Sequence, residues 1–196
     1  ELTGDVLGFK LSVDGQAVVY RSALNSRALQ KLYRVPIGGG AEVQLSGDAS
    51  LHSSVDSFDL DPITGSVVYA AHEAVSDQPA LYVVPLAGGT PVKISGALIA
   101  GAAIYTYHID SIGGRVVYLA NAENLNRYEL YSVPLAGGTV VKLSPVGGYT
   151  YSDIEINPAA AMVVFTAAPN GSTQRHLYRN ATSGGALVQL NVALDT

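Results

Sequence analysis

Four polar side chains recur at one fixed position along this chain and are its first candidates for shared chemistry. The steps between them are 49, 49 and 47 residues, and they are Lys10, Asp59, His108 and Glu155. A second column stands two residues later and consists of Ser12, Asp61, Asp110 and Asn157. Charged side chains that converge can form a polar ring, and carboxylate and amide oxygens are ligands that Ca²⁺ prefers.

These two columns have two interpretations. If equivalent positions meet around a common channel, the first column forms a polar ring there. The residues Asp61, Asp110 and Asn157 are then candidates for binding a cation such as Ca²⁺. The alternative is that both columns satisfy strand ends and hydrogen bonds between neighbouring repeats. The alternative requires nothing beyond the fold, and we favour it.

No catalytic constellation is recognisable in the chain. A Gly-x-Ser-x-Gly elbow is absent. The pair His72-Glu73 begins like a zinc-protease motif, but the second His is missing. The absence of Cys excludes a thiolate nucleophile, disulfides and Cys-based zinc sites. We therefore expect a non-enzymatic chain with no catalytic residue and no cofactor; Ca²⁺ in the channel is the alternative to the latter.

The composition excludes two classes of partner. The 196 residues include 11 Lys plus Arg against 16 Asp plus Glu, and the cations are scattered, so we expect no nucleic-acid binding. No run approaches the ~18 apolar residues of a membrane helix, so we expect no membrane insertion. The chain does not begin with Met. We interpret this start as removal of a leader or excision from a longer protein.

Three landmarks that recur in one register reveal an internal repeat. A Val-Val-Tyr/Phe run begins at residues 18, 67, 116 and 163; a Leu-Tyr pair begins at 32, 81, 130 and 177; a Val-x-Leu/Ile triplet begins at 43, 92, 141 and 188. The spacing divides the chain into four units of about 49 residues. Their expected boundaries are 1–49, 50–98, 99–147 and 148–196.

Each unit has the pattern of four short strands. The first alternates apolar and polar residues, as in 9–12, and a tight turn such as Asp14-Gly15 follows it. The fourth copy has lost this Gly, which predicts a different turn there. The second strand is the Val-Val-Tyr/Phe run, which suits a strand buried on both faces. The third ends near a Pro in three copies, and Gly-Gly then turns into the fourth. Almost no helix is expected.

Repeated four-stranded meanders of this length predict an all-β fold, a β-propeller of four-stranded antiparallel blades. One twisted sheet cannot bury both faces alone, and blades packed face to face cover one another. Four blades leave three possibilities open. The chain is an arc of a larger propeller, a closed four-blade ring, or one half of a homo-oligomer that completes the ring.

The run Val-Val-Tyr followed by Leu-Tyr-x-Val-Pro-Leu-x-Gly-Gly resembles the WD40-like repeat of TolB-like β-propellers. The resemblance extends over essentially the whole chain, although the Trp of the family's Trp-Ser-Pro-Asp-Gly turn is missing and Ser12–Gly15 is its nearest counterpart. It implies a periplasmic or extracellular bacterial protein that binds proteins or peptides. Such propellers also precede hydrolase domains.

An apolar stretch that enters the third unit is the expected partner-binding loop. It runs from residue 97 to 105, whereas the matching stretch of the second unit is polar. Aliphatic residues beside aromatic ones suit a protein or peptide contact. The residues expected to make this contact are Leu98, Ile99, Ile104, Tyr105, Tyr149 and Tyr151. The alternative is that the stretch is merely tucked into the mouth of the channel.

We interpret the chain as a non-enzymatic protein-binding or scaffold module. One alternative is the non-catalytic propeller domain of a larger peptidase-like hydrolase. The other is a structural subunit of an extracellular assembly.

Overall fold

The computed structural model describes residues 4–24, 29–48, 52–157 and 159–191. Within these ranges the chain forms sixteen β-strands and no helix, as the repeat pattern predicts. The strands are β1 Gly4–Leu11, β2 Ala17–Leu24, β3 Gln30–Pro36, β4 Val43–Gln44, β5 His52–Leu60, β6 Val67–Glu73, β7 Pro79–Val84, β8 Val92–Lys93, β9 Ile104–Asp110, β10 Arg115–Ala120, β11 Glu129–Pro134, β12 Val141–Lys142, β13 Tyr149–Asn157, β14 Met162–Ala168, β15 His176–Ala181 and β16 Val188–Gln189. In the described part of the chain, no helix is long and apolar enough to cross a membrane.

The strands form four antiparallel meanders, each with its strands in sequence order. The sheets are β1–β4, β5–β8, β9–β12 and β13–β16. The chain divides into two compact units, residues 1–95 and 96–196, and each holds two of the sheets. We call them unit 1 and unit 2.

The turns follow the glycines that the sequence places between strands. Gly15, Gly65 and Gly114 adopt φ of 69°, 70° and 61° in the turns that follow the first strands, a conformation that costs glycine little. Among the described residues, Asp77 is the one non-glycine residue with positive φ. Residues 159–161, which follow the first strand of the fourth sheet and include no glycine, therefore have no left-handed conformation.

A serine or asparagine side chain after each short fourth strand extends the hydrogen bonding of that two-residue strand. The Oγ of Ser95 accepts a hydrogen bond from the Leu81 amide at 3.0 Å. The same bond recurs in the first and third sheets, and Asn191 Oδ1 replaces it in the fourth; the pairs are Ser46 with Leu32, Ser144 with Leu130 and Asn191 with Leu177. The side chain continues the ladder where the backbone pairing stops.

Replacing Ser95 with alanine is expected to lower the free energy of unfolding by about 1–3 kcal/mol, because the buried Leu81 amide loses its acceptor. Ser95→Asn should cost less, since Asn191 fills this role in the fourth sheet. Urea denaturation of both variants measures the difference, with the exposed Ser57→Ala as control. Equal effects of Ser95→Ala and Ser57→Ala would contradict the assigned role.

Within each unit the two sheets pack face to face through repeated positions. In unit 1, Leu32 and Leu45 of the first sheet share an apolar cluster with Val67, Tyr69 and Val84 of the second. In unit 2 the corresponding cluster contains Leu130, Leu143, Val163 and Phe165. A fully buried Leu contributes roughly 1.5–3 kcal/mol, so these faces are the main source of stability.

Aromatic pairs stack across the second and third strands of all four sheets. The ring centroids lie 5.7, 5.4, 5.5 and 6.0 Å apart in Tyr20–Tyr33, Tyr69–Tyr82, Tyr118–Tyr131 and Phe165–Tyr178. Directly opposed aromatic residues stabilise antiparallel pairs, which explains why the repeat retains an aromatic residue at both positions.

Candidate functional site

Four tyrosines and one arginine of unit 2 form a continuous aromatic cluster. The centroid of Tyr128 lies 5.7 Å from Tyr105 and 6.1 Å from Tyr149, both edge to face. Tyr149 is 5.0 Å from Tyr151, and the Arg175 guanidinium carbon lies 3.6 Å from the Tyr151 ring centroid. Arg175 is thus in cation–π contact with the end of the row.

The cluster lines a small pocket, which we call the tyrosine pocket. Its volume is about 160 Å³, and its lining consists of Tyr105, Leu119, Tyr128, Tyr149, Thr150, Tyr151 and Ser152. Tyr105 is 64% exposed, so the pocket is open to solvent on that side. Thr150 is buried, and its Oγ1 has no hydrogen-bond partner in the protein. An opening lined by tyrosine rings is a site that can accept an apolar group.

A buried amide side chain holds the two loops that flank the pocket. Asn121 Oδ1 accepts a hydrogen bond from the Ala103 amide at 2.6 Å, and its Nδ2 donates to the Leu125 carbonyl at 3.1 Å. Ala103 lies just before Tyr105, and Leu125 lies just before Tyr128. Asn121 therefore positions both tyrosines through their preceding backbone.

Two glycines set the path of the chain into β13. A Cβ on Gly148 would lie 2.6 Å from the Ala168 carbonyl oxygen, so only glycine fits at this approach. The neighbouring Gly147 has φ of 70°, and its carbonyl accepts a 2.8 Å hydrogen bond from Arg127 Nη1. The backbone that presents Tyr149 is thereby tied to the residue before Tyr128.

The structure brings together half of the residues expected in the partner-binding loop. Tyr105, Tyr149 and Tyr151 meet in the tyrosine pocket. Leu98 and Ile99 are not among its lining residues, and the Ile99 amide donates to the Ala122 carbonyl at 3.1 Å. Leu98 is half-buried and Ile99 is exposed in the same connecting segment.

The structure corrects where this expected loop ends. Ile104 and Tyr105 are the first residues of β9, and Tyr149 and Tyr151 belong to β13. The first strands are longer than their alternating pattern suggests, because Ala120 pairs with Ile104 and Ala168 pairs with Tyr149. The aromatic residues therefore lie on paired strands, which hold them more rigidly than a loop would.

Sequence reasoning missed two members of the cluster, Tyr128 and Arg175. Each stands directly before the third strand of its sheet, β11 or β15, at the end of a loop whose length and composition vary among the repeats. The sequence offered one clue: Tyr128 is an aromatic residue two positions before the Leu-Tyr motif of the third repeat.

Two of the four residues expected to form a polar ring, Lys10 and Asp59, contact each other in unit 1. Lys10 Nζ lies 2.6 Å from Asp59 Oδ1, a half-exposed ion pair between the first and second sheets. His108 and Glu155 lie on the first strands of the two sheets of unit 2. Exposed pairs of this kind contribute about 0–1 kcal/mol, so Lys10–Asp59 marks the register of two blades more than it stabilises them. The complete ring stays a prediction.

The expected cation column has local hydrogen-bond duties. The side chains of Ser12, Asp61, Asp110 and Asn157 each accept hydrogen bonds from the turn after their own strand; the donors are the amides of Ala17, Thr64, Gly113 and Ala159. Asp110 Oδ2 also accepts from the Thr182 hydroxyl of the neighbouring sheet. Among the described residues no three His, Cys, Asp or Glu side chains form a metal-binding group. Calcium binding stays a hypothesis that these contacts do not require.

No protein-family model matches the chain, and no curated protein sequence matches it. Solved structures do match. TolB from Acinetobacter baumannii has a TM-score of 0.57 at 12% identity over 95% of this chain and 43% of its own. Puromycin hydrolase has a TM-score of 0.65 at 15% identity over 97% of this chain and 30% of its own. A chain of the nidogen/laminin complex has a TM-score of 0.56 at 10% identity, covering 95% and 65%.

These likenesses, together with the four antiparallel sheets, confirm the β-propeller fold and the TolB-like architecture expected from the repeat motif. The chain spans less than two thirds of the length of each of these three proteins. At identities of 10–15% the comparison establishes the fold and carries no site from one protein to the other.

Proposed function

We propose that this chain is a non-enzymatic propeller module that binds a protein or peptide partner through the tyrosine pocket. The observation that supports this most is the row of four tyrosines from two sheets, closed by Arg175. Tyr and Arg are enriched among the residues that dominate binding energy at protein interfaces. Rigid strands and Asn121 hold these side chains in advance, which reduces the entropic cost of binding.

The size of the pocket favours one side chain of a partner over a whole small molecule. Pockets for small-molecule ligands usually enclose about 300–1,000 Å³, whereas this one has about 160 Å³. An apolar anchor residue inserted among the rings would be covered by Tyr128 and Tyr149. The rest of the partner would then extend over the exposed Tyr105 and Ile99.

A charged group at the edge of the pocket supplies the expected orientation of the partner. Arg175 at the edge can bind a carbonyl or a carboxylate while it remains on the Tyr151 face. We therefore expect ligands with an apolar or aromatic anchor and an acidic or carbonyl-rich flank.

A display library of random twelve-residue peptides, panned on the immobilised wild-type chain, tests this proposal. Peptides recovered on the wild type should share one apolar anchor. In fluorescence anisotropy, Tyr149→Ala and Tyr151→Ala should each weaken their binding by about tenfold or more.

The control is Val146→Ser, which changes an exposed residue of the loop before β13 that does not line the pocket. It should leave peptide binding unchanged. The proposal fails if selected peptides bind folded Tyr149→Ala and Tyr151→Ala as tightly as the wild type.

A second candidate function is the propeller domain of a peptidase-like enzyme. The coverage of 30% of the puromycin hydrolase chain favours it, because the match leaves room for a separate hydrolase domain in such proteins. The gene that encodes this chain should then also encode a hydrolase domain whose catalytic Ser, Asp and His follow one another in that order along the chain. A periplasmic or extracellular location, which the TolB resemblance implies, belongs to the proposal in both cases.

A further inference from the structure

The first sheet carries an exposed apolar face, whereas the equivalent face of the second sheet is buried within unit 1. Phe9 is 69% exposed, and it lies beside other residues that we call the first outer face: Val6, Phe9, Leu11, Val18, Tyr20 and Val35. A groove of about 400 Å³ lies along this face. Contiguous exposed apolar surface of this kind usually marks an interaction site.

The second sheet has the same residue type at all six corresponding positions. These are Val55, Phe58, Leu60, Val67, Tyr69 and Val84, and they pack in the cluster that joins the two sheets of unit 1. The first outer face is therefore built like a surface whose partner is known. That partner is the other side of the first sheet, through Val19, Leu32, Val43 and Leu45.

The fourth sheet reproduces this partner surface and leaves it exposed. Its corresponding residues, which we call the last outer face, are again identical in type: Val164, Leu177, Val188 and Leu190. Leu177 is 37% exposed and Leu190 is 45% exposed, whereas Leu32 and Leu45 are fully buried. The two exposed faces thus duplicate the two halves of the interface inside unit 1.

The turn glycines show the same complementarity. A Cβ on Gly88 of the second sheet would lie 2.9 Å from Val43 Cγ1 of the first, so the turn packs closely on that valine. The corresponding Gly39 of the first sheet has no atom within 4 Å of such a Cβ. Val188 is the matching valine of the last outer face.

We propose that the first outer face of one chain binds the last outer face of a second copy, with the contacts of the interface inside unit 1. Phe9 and Tyr20 of one copy then pack on Leu177 and Leu190 of the other, and Gly39 packs on Val188. This interface joins unlike surfaces, so each copy contributes one face to each contact. The inference is independent of the tyrosine pocket, which lies on other strands.

Light scattering and sedimentation velocity on the purified chain across a concentration series test the proposal. The wild type should associate to at least twice the chain mass of 20.3 kDa. Phe9→Asp and Leu190→Asp should each weaken association ~100-fold or more, because each places an unpaired carboxylate in the contact. Val75→Asp, at a fully exposed position, should associate like the wild type.

Mixing the two disrupted variants distinguishes this head-to-tail contact from any other self-association. The Phe9→Asp chain retains its last outer face, and the Leu190→Asp chain retains its first outer face. Each variant alone should be monomeric, and the mixture should form a one-to-one dimer and nothing larger. Val6→Asp with Leu177→Asp provides a second pair should either first variant fail to fold.

Two results would overturn the proposal. The first is a wild-type chain that stays monomeric at every concentration. The second is a wild-type chain that associates while the mixed variants remain monomeric, since association would then use another surface.

Discussion

Replacing Lys142 with methionine is expected to lower the free energy of unfolding by about 3–5 kcal/mol, the usual cost of breaking a buried ion pair from one side. Lys142 Nζ lies 3.1 Å from Glu129 Oε1 and 2.8 Å from Glu123 Oε2. The Glu129 side chain is only 4% exposed, so removing the ammonium leaves a buried carboxylate without its counter-ion. Methionine keeps the apolar stem, which limits the change to the charge.

The pKa values of Lys142 and Tyr131 are both raised by contacts with the same two glutamates. Burial opposes the charge of Lys142, but its hydrogen bonds to Glu123 and Glu129 outweigh burial and raise the pKa of Lys142. The Tyr131 hydroxyl donates to Glu129 Oε2 at 3.1 Å, and burial together with both carboxylates raises the pKa of Tyr131. Glu123, Glu129 and Tyr131 therefore belong to one hydrogen-bonded cluster with Lys142.

The repeat offers a matched control for this variant. Lys93 occupies the same position in the second sheet and lies 2.7 Å from Glu73 Oε1, but both side chains of that pair are partly exposed. Lys93→Met should therefore cost only about 0–1 kcal/mol. Adding Glu129→Gln to Lys142→Met should recover part of the loss, because it removes the buried charge.

Urea denaturation followed by circular dichroism gives the free energy of unfolding of the wild type, Lys142→Met, Lys93→Met and the double variant. Because Glu129 follows Tyr128 directly, Lys142→Met should in addition weaken peptide binding at the tyrosine pocket. Equal and small effects of Lys142→Met and Lys93→Met would show that burial of Glu129 does not determine the strength of this pair.

The strands and their order could be predicted from the repeat, because strand pairing within each sheet is local and the same residue types recur in register. The fourth strands illustrate the limit of that reasoning. The Leu/Ile-Ser ending is visible in the sequence, but its cause is a hydrogen bond that Ser46, Ser95 or Ser144 accepts from a backbone amide fourteen residues earlier. The repeated motif identifies this position as important, but it does not identify the atom that the side chain contacts.

The tyrosine pocket could be predicted only where its residues belong to repeated strands. Tyr105, Tyr149 and Tyr151 stand at the starts of first strands, and their neighbourhood follows from the register of the repeats. Tyr128 and Arg175 end loops whose length and composition differ from repeat to repeat, so the repeat pattern does not predict what their side chains contact. Long-range contacts made by irregular segments depend on the whole tertiary structure.

The two outer faces show a different limit of sequence reasoning. Val6, Phe9 and Leu11 are identical in type to Val55, Phe58 and Leu60, yet the first three are exposed and the last three are packed in unit 1. Periodicity identifies an apolar face, and only the structure shows whether a neighbouring sheet covers it.

Alkaline conditions above about pH 10 are expected to destabilise the folded chain, because several tyrosine hydroxyls are buried in the folded state. Burial raises the pKa of Tyr69 and Tyr118, and burial with the nearby Glu73 carboxylate raises the pKa of Tyr82 to about 12. In the unfolded chain these groups lose their protons near pH 10. Above pH 10 the unfolded state therefore binds fewer protons than the folded state.

The sign of the effect follows from linkage. The slope of the unfolding free energy with pH is proportional to protons bound in the unfolded state minus those bound in the folded state, and this difference is negative above pH 10. The stability that is fully present below pH 10 is lost as pH rises towards the folded pKa. After discounting for solvent screening, the loss between pH 8 and pH 11 is ~1–3 kcal/mol.

Tyr69→Phe separates this contribution from general alkaline damage. Phe165 fills the corresponding position of the fourth sheet, so the ring should pack unchanged. The variant loses the hydrogen bond between the Tyr69 hydroxyl and the Gly47 backbone, which costs ~1 kcal/mol at pH 7. Its stability should then fall less steeply than that of the wild type from pH 8 to pH 11.

Urea denaturation at pH 8, 9, 10 and 11 measures this slope, with tyrosinate absorbance to follow ionisation directly. The exposed Tyr105→Phe serves as control and should keep the wild-type slope, because its ring is not buried by folding. If Tyr69→Phe and the wild type lose the same stability over this range, the buried hydroxyl of Tyr69 does not contribute to alkaline unfolding. The loss would then come from the other buried tyrosines or from Lys142, whose pKa is raised by its hydrogen bonds to Glu123 and Glu129.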